Sequence, residues 1–169
     1  MKILQICFKD PTIYKGGLET VVTELSKKLV YKGNTVDILC TSDKKEGYIK
    51  TSDYYNIISL KTPNFNFLGQ KGNLIKKIIY NYKLGGYLKK NGKNYNVIHV
   101  HGDSGGSKIL KKFNTVATFH GFTPFNPSYK NIIKRFFLYV CSARYEFNNL
   151  KYSKKNTAVS KKVSNQIQN

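Results

Sequence analysis

Three histidines lie at the ends of apolar segments, and histidine can donate or accept a hydrogen bond or bind a metal near neutral pH. His99 and His101 close one apolar run, and His120 directly follows another. Residues two apart on a strand point to the same face, so His99 and His101 should be neighbours. No Asp, Glu or Cys ligand set accompanies them, so no metal site is predicted. His101 and His120 are predicted to lie at a cleft rim, able to donate to a phosphate or a sugar hydroxyl.

The segment Lys15-Gly16-Gly17-Leu18-Glu19 separates the first apolar run from the first helical pattern. It lacks the G-x-G-x-x-G spacing of dinucleotide-binding turns, and no G-x-x-x-x-G-K-[ST] loop occurs in the chain. Two interpretations of Gly16 and Gly17 stay open. The pair allows a ligand to approach the backbone and its free N–H groups, or it forms a turn that requires a positive φ.

The segment Gly102-Asp103-Ser104-Gly105-Gly106 matches both the G-D-S-G-G string of chymotrypsin-like proteases and the G-x-S-x-G elbow of α/β-hydrolases. A serine nucleophile needs a histidine and a carboxylate as partners. The histidines before Ser104 are its neighbours in one strand, and after it His120 precedes Glu146, the reverse of the hydrolase order. A serine hydrolase that uses Ser104 is therefore the least favoured of the three functions considered for this chain. The preferred interpretation is a glycine-rich strand-to-helix turn that can hold an anion on its N–H groups.

The charge of the 169-residue chain is strongly positive. It carries 29 Lys and Arg against 9 Asp and Glu, a formal net charge of +20, and only Arg135 and Arg144 are arginines. The excess is larger in the second half, where residues 86–169 hold 15 basic and 2 acidic residues. Such a surface attracts nucleic acid, anionic membrane or phosphorylated substrates, or it reflects a lysine-rich composition that favours solubility.

Cysteine usage and hydropathy limit the compartment. Cys7 and Cys40 lie inside apolar runs and are predicted to be buried, reduced thiols, and the three cysteines form no disulfide framework. No signal peptide is recognised at the start of the sequence. The longest apolar run, Phe136–Cys141, is far shorter than the roughly 20 residues that a membrane-spanning helix needs. A cytoplasmic protein is predicted.

The elements that must position these residues alternate between strand-like and helix-like patterns. A single domain over residues 1–169 is predicted, with a parallel sheet covered by helices on both faces. Ligands then bind beyond the carboxyl ends of the strands, where the histidines and glycines fall. Six strands are predicted at residues 2–8, 35–40, 57–60, 96–100, 115–119 and 156–159, with 41–53 as a loop or short excursion. Helical patterns cover residues 18–29, 74–82, 104–113 and 127–150, and Ser160 is positioned to open a last helix.

Four blocks in order carry a resemblance to a known family. They are residues 1–36 with Gly16-Gly17-Leu18-Glu19, residues 96–102 (NVIHVHG), residues 115–121 (TVATFHG) and residues 157–161 (TAVSK). Together they resemble the N-terminal domain of a GT-B glycosyltransferase of the retaining family 4. The resemblance implies a Rossmann-like acceptor-binding domain. It implies an enzyme, of hexosyltransferase type, that moves a sugar from a nucleotide-sugar donor to a glycan or lipid-linked acceptor.

The resemblance also implies roles for individual residues. Gly16 and Gly17 would approach the donor diphosphate, and His120 would contact the transferred sugar as the catalytic residue. The acceptor side would be lined by Glu19, His101, Asp103 and Ser160. No metal and no cofactor beyond the nucleotide sugar is expected, because helix dipoles and basic residues of a second domain would stabilise the leaving diphosphate.

The resemblance also bears on the partners of this chain, which are a second domain and a membrane surface. The C-terminal donor-binding domain of the family has no counterpart in these 169 residues, so the isolated chain is expected to be inactive. Aromatic and basic residues mix over 127–155, which suits peripheral binding to an anionic membrane at its inner face. Nucleic acid is not an expected partner, because no recognition motif occurs and arginines are few. The alternative function is a non-catalytic basic α/β module that binds anionic membrane or phosphorylated ligands.

Overall fold

Seven strands form one sheet in the computed structural model, which describes residues 1–43, 47–50, 54–65, 69–121 and 142–168. The order across the sheet is β3-β4-β2-β1-β5-β6-β7. Six strands are parallel, and β3 pairs antiparallel with β4 at one edge. The strands are β1 Lys2–Ile6, β2 Thr35–Ser42, β3 Gly47–Lys50, β4 Asn56–Lys61, β5 Val97–His101, β6 Thr115–Phe119 and β7 Lys155–Ala158.

Helices connect the strands. They are α1 Gly17–Tyr31, α2 Gly69–Asn91, α3 Arg144–Tyr152 and α4 Lys161–Gln168, with short 3-10 helices at Gly92–Asn94 and Lys108–Lys112. The six predicted parallel strands and the α/β class are confirmed. The edge strand β3 was not predicted, because its four residues follow a polar stretch that resembles a loop in sequence.

Apolar side chains cover both faces of the sheet. Ile3 belongs to one buried cluster and Leu4 to the other, as expected for successive residues of a strand buried on both sides. The cluster around Ile3 receives Val22 of α1, and the cluster around Leu4 receives Leu84 of α2. Both faces of the central strands are therefore covered mainly by apolar side chains, and Gln5 of β1 is a buried polar exception.

Helix α2 is longer than its sequence pattern indicates. It contains Gly85 and Gly86, yet it continues unbroken to Asn91. Tyr80, Leu84 and Leu88 follow one another at helical spacing and have no exposed surface, so packing outweighs the low helix propensity of glycine. The Tyr80 hydroxyl donates to the carbonyl of Cys7 at 2.8 Å, which ties α2 to the end of β1.

Several local predictions have clear outcomes. Residues 104–113 form a loop and a 3-10 helix rather than an α-helix. Cys7 and Cys40 are free and buried as predicted, and burial raises the pKa of both thiols. The prediction of helix over 127–150 is met from Arg144 onward, whereas residues 122–141 lie outside the described residues. In the described part of the chain, no helix has the length and apolar character to cross a membrane.

Candidate functional site

The three histidines meet near the carboxyl ends of β5 and β6. His99 and His101 are on one face of β5, with ring centroids 4.2 Å apart. The His101 Nδ1 atom is 3.1 Å from Nε2 of His120, which follows β6. In the register of β5 and β6, His101 pairs with Thr118, and this brings the His101 ring close to that of His120.

The most deeply buried member of the cluster is His101, whose exposed fraction is 1%. Its Nε2 atom is 2.6 Å from Oε1 of Gln5, a residue of β1 with no exposed surface. His101 therefore links Gln5 of β1 to His120. His101 itself is buried, whereas His120 is half-buried. The sequence carries a signal for Gln5, since it is the one uncharged polar residue within the apolar stretch Ile3–Phe8, but it was not selected as a site residue.

His99 is bonded through a separate chain of groups. Its Nε2 atom lies 2.7 Å from the hydroxyl of Thr118, which lies 2.7 Å from the hydroxyl of Thr157. These contacts join β5, β6 and β7 side by side. His99 thus supports the neighbouring strands.

Burial controls the charge of all three rings. Burial, with a smaller contribution from His120, lowers the pKa of His99 to about 4. Burial also lowers the pKa of His101 well below its usual value. The pKa of His120 is lowered by burial too, and the Glu19 carboxylate partly offsets this effect. At neutral pH the cluster is uncharged, so it offers neutral hydrogen-bond donors and acceptors.

The turn between β1 and α1 is open. Gly16 is the N-cap of α1 with φ −90° and ψ 171°, and Gly17 also lacks a positive φ, so the hypothesis of a positive-φ turn is wrong. The Gly16 carbonyl accepts from the Thr20 backbone N–H at 2.9 Å. A Cβ added at Gly16 would collide with the Glu19 carboxylate, whereas one added at Gly17 would meet nothing within 4 Å. Both glycines are exposed, and no side chain from the described residues caps this helix.

The loop Gly102–Gly106 is closed by contrast. Asn149 of α3 has no exposed surface and donates from Nδ2 to the carbonyls of Gly102 and Ser104, each at 2.8 Å. Asn81 of α2 accepts from the Gly105 backbone N–H at 2.9 Å. The Gly105 N–H is thus already bonded and no α-helix follows the loop, which corrects the interpretation of this turn as an anion site. Ser104 is only 2% exposed, which argues against it as a nucleophile.

Asp103 has partners within the protein. Its carboxylate Oδ2 accepts from Lys77 Nζ of α2 and from the Ser142 hydroxyl just before α3. Lys77 Nζ also lies 3.2 Å from the Ser142 hydroxyl. The acceptor-side role of Asp103 stays a prediction, and any ligand there would share the carboxylate with two protein donors.

Ser160 lies after β7, beside the strand that leads to His120. The Val159 backbone N–H donates to the Phe119 carbonyl at 3.1 Å, which aligns the two strand ends. The Ser160 hydroxyl accepts from the Val163 N–H at 3.3 Å and caps α4, as its position in the sequence predicted. Ser160 is exposed, and its acceptor-side role stays a prediction.

A pocket of about 240 Å³ lies beyond the ends of β1 and β2. Lys9 Nζ sits 5.2 Å from the centroid of the Tyr14 ring at its edge. The Asp10 carboxylate accepts from the Thr12 N–H at 2.9 Å, which shapes the pocket wall. No residue selected from the sequence as a site residue lines it. Its lining is Phe8, Lys9, Asp10, Ile13, Tyr14, Thr41, Ser42, Asp43, Asn73 and Lys76.

Metal ligands do not gather in this region. Across the ranges that the structure describes, no three His, Cys, Asp or Glu side chains form a group that could hold a metal ion. The expectation of no metal and no cofactor stays a prediction.

A parallel sheet of six strands with helices packed on it defines a Rossmann-like α/β domain, and this fold matches that of GT-B glycosyltransferases. The sequence matches the model of Glycosyltransferase Family 4 over residues 15–169. The chain therefore belongs to this family. Among curated proteins, no sequence matches the chain significantly.

Solved structures share the fold at low sequence identity. Sucrose-phosphate synthase from Thermosynechococcus elongatus matches with a TM-score of 0.59 and 17% identity, over 93% of this chain. The starch synthase IV catalytic domain from Arabidopsis thaliana, bound to ADP and acarbose, matches with 0.50 and 15% over 72% of this chain and 34% of its own. UDP-GlcNAc 2-epimerase from Methanocaldococcus jannaschii matches with 0.52 and 14% over 99% of this chain and 42% of its own.

These likenesses show the fold and a difference in length. The chain spans 46% of the length of the sucrose-phosphate synthase chain. Because an epimerase shares the fold with two synthases, the fold alone does not select the reaction.

Proposed function

We propose that this chain is the acceptor-binding half of a retaining glycosyltransferase of hexosyltransferase type, which uses a nucleotide-sugar donor. The observation that carries the proposal is the placement of His120. It is half-buried beyond β6, bonded from behind to His101, and close enough to Glu19 at the start of α1 for that carboxylate to affect its pKa. A neutral histidine so held is suited to hydrogen-bond the hydroxyls of the transferred sugar.

The donor diphosphate would approach the start of α1. A helix N-terminus carries unpaired N–H groups and partial positive charge. The Glu19 carboxylate occupies the space above Gly16, so we propose that the diphosphate approaches from the side of Gly17, where the backbone is open. Glu19 would then face the acceptor.

The acceptor would enter near the pocket beyond β1 and β2. The ring of Tyr14, the carboxylates of Asp10 and Asp43 and the amide of Asn73 are groups that bind the faces and hydroxyls of a sugar ring. His101, Asp103 and Ser160 complete the acceptor side in this proposal, with His101 acting through His120. We propose a glycan or lipid-linked acceptor.

A lipid-linked acceptor would bring the protein to a membrane. In the described part, α3 and β7 carry Arg144, Lys151 and Lys155, and Phe147 is 39% exposed. We propose peripheral binding of this basic side to the inner, anionic face of the membrane. No role for nucleic acid is proposed.

A second domain is required by this scheme. In the proposal it binds most of the donor, and its basic groups and helix termini stabilise the leaving diphosphate without a metal. The isolated chain is therefore expected to be inactive.

The test joins the chain to its donor-binding domain and measures transfer across a panel of nucleotide sugars and acceptors. His120→Ala should lower kcat/KM about a hundredfold, because an oriented contact to the reacting sugar is lost. Tyr31→Ala is the matched control, since Tyr31 is 94% exposed and lies at the opposite end of α1 from Gly17 and Glu19. Unchanged turnover in His120→Ala would contradict the proposal. Absence of transfer with every donor, together with salt-sensitive binding to anionic vesicles, would favour the basic binding module instead.

A further inference from the structure

A line of three side chains runs from the core of the sheet to the proposed sugar site. Gln5 of β1 contacts His101 of β5 at 2.6 Å, and His101 contacts His120 at 3.1 Å. The first two side chains have exposed fractions of 0% and 1%. The inner part of the line is therefore shielded from bulk solvent, and the contacts found there are between protein atoms.

With Oε1 of Gln5 facing His101, proton counting along the line gives the hydrogen-bond direction. The Gln5 Oε1 atom can only accept, so Nε2 of His101 must carry a proton. Burial keeps His101 neutral, so its Nδ1 has a lone pair. Nε2 of His120 must then be the protonated donor to that lone pair. The remaining ring nitrogen of His120, Nδ1, is left as a hydrogen-bond acceptor.

We propose that Gln5 and His101 are positioning residues that hold His120 as the Nε2–H tautomer, so that Nδ1 accepts a hydrogen bond from a hydroxyl group of the bound sugar. The part concerning the sugar rests on the proposed function. The tautomer itself is a property of the free protein. The tautomer determines whether the ligand atom facing His120 Nδ1 must be a hydrogen-bond donor, such as a hydroxyl group, or an acceptor, such as an oxygen without a proton.

The surroundings of Gln5 favour this role. Its neighbours on β1, Leu4 and Ile6, are apolar and fully buried. The Gln5 Nε2 atom has no hydrogen-bond partner in the described part of the chain. A buried amide that bonds at one end only is costly to the fold. Within the described residues, the Gln5 side chain bonds to His101. This contact is therefore what a glutamine contributes at this position of β1.

The orientation of the Gln5 amide controls the direction of both bonds. If Nε2 of Gln5 faced His101, the His101 Nε2 atom would have to accept, and its Nδ1–H would donate to His120. His120 would then carry its proton on Nδ1 and present a donor to the ligand. The two arrangements leave His120 with opposite tautomers, so the tautomer of His120 reports the state of the whole line.

His99 offers an internal reference in the same cluster. The Thr157 hydroxyl donates to the Ala117 carbonyl at 3.3 Å, so it accepts from the Thr118 hydroxyl. Thr118 must then accept from Nε2–H of His99. The tautomer of His99 is therefore fixed by β6 and β7 and does not depend on Gln5.

The test is a long-range 1H–15N correlation spectrum of the histidine rings in the 15N-labelled chain, without ligand, above pH 7. We expect a protonated Nε2 and an unprotonated Nδ1 for His120. In Gln5→Met, which keeps the side-chain length and removes the strong acceptor, this single-tautomer pattern should be lost. The His99 pattern should persist. The matched control is Thr118→Val, which should alter His99 and leave His120 unchanged.

Each outcome decides the inference. A protonated Nδ1 on His120 in the unsubstituted chain overturns it, and this measurement needs no variant to fold. An unchanged His120 pattern in Gln5→Met, with His99 reporting an intact fold, also overturns it. If Gln5→Met loses the His99 signals, Gln5→Leu is measured in its place. The transfer assay of His120→Ala is independent of these spectra, so failure of the proposed function and failure of the tautomer inference are distinguishable.

Discussion

Two glycine-containing turns follow parallel strands at the same edge of this sheet, and they differ in what already occupies them. The turn at Gly16-Gly17 after β1 is exposed, and no side chain of the described residues caps the helix that follows. The loop Gly102–Gly106 after β5 is bonded to Asn81 and Asn149. The glycine pattern alone does not show whether a turn can bind a ligand. The deciding factor is whether other elements have already bonded its peptide groups.

The largest expected effect concerns the histidine cluster of β5, the strand that leads into the closed loop, and its neighbour His120. Because the folded pKa of His99 is about 4 against a usual 6.5, the unfolded chain binds protons that the folded chain rejects as pH falls from 6.5 to 4. Stability should therefore be retained above pH 6.5 and lost across this range, by about 3 kcal/mol from His99 alone. His101 and His120 act in the same direction.

Denaturant unfolding at a series of pH values measures this loss. His99→Gln keeps a side-chain donor and removes the titrating ring, so its stability should fall less steeply between pH 6.5 and 4. A profile as steep as that of the unsubstituted chain would show that His99 is not the cause.

Asn149→Ala tests what closes the loop. It removes two bonds made by a side chain with no exposed surface, to the carbonyls of Gly102 and Ser104, and should reduce the free energy of unfolding by about 2–3 kcal/mol. Asn148→Ala is the matched control, since it removes one partly buried bond, to the Gly106 carbonyl at 3.0 Å, and should cost about 1 kcal/mol. Urea denaturation of both variants measures the difference. A larger loss in Asn148→Ala would contradict the assignment of Asn149 as the main support of the loop.

A paired alanine substitution compares the two turns directly. Gly105 has φ +100°, and a Cβ there would approach Val100 Cγ1 to 2.8 Å, so Gly105→Ala should cost about 2 kcal/mol. Gly17 is free of such contacts, so Gly17→Ala should change stability by less than about 1 kcal/mol. Thermal unfolding of the two variants measures both values. Equal losses at the two positions would remove the distinction between a closed and an open turn.

Much of the fold could be predicted from the sequence, because apolar periodicity reflects burial directly. The six parallel strands and α1 follow from such patterns, and the capping role of Ser160 follows from its residue type before a helical segment. Helix α2 shows the limit of this reasoning, since packing of Tyr80, Leu84 and Leu88 outweighs two glycines. The edge strand β3 was missed, because pairing with β4 rather than its own composition makes it a strand.

The candidate site could be predicted in part. His101 and His120 were selected as neighbours of a cleft, and the structure brings them into contact. Gln5 was missed, because a single glutamine in an apolar strand gives no indication of what it faces. The partners of Asp103 lie 26 and 39 residues away along the chain, at Lys77 and Ser142, so their pairing was not visible in any local pattern.

By itself the sequence determined the class of fold, the order of its strands along the chain and the family, because these depend on residue types and spacings that survive in one dimension. Only the tertiary structure decided which polar groups at the strand ends are occupied. In the folded chain, asparagines from two helices bond the loop after β5, the turn before α1 stays open, and Gln5 contacts His101. The physical reason is that hydrogen bonds between distant segments are set by how strands align and helices pack, which local sequence does not specify.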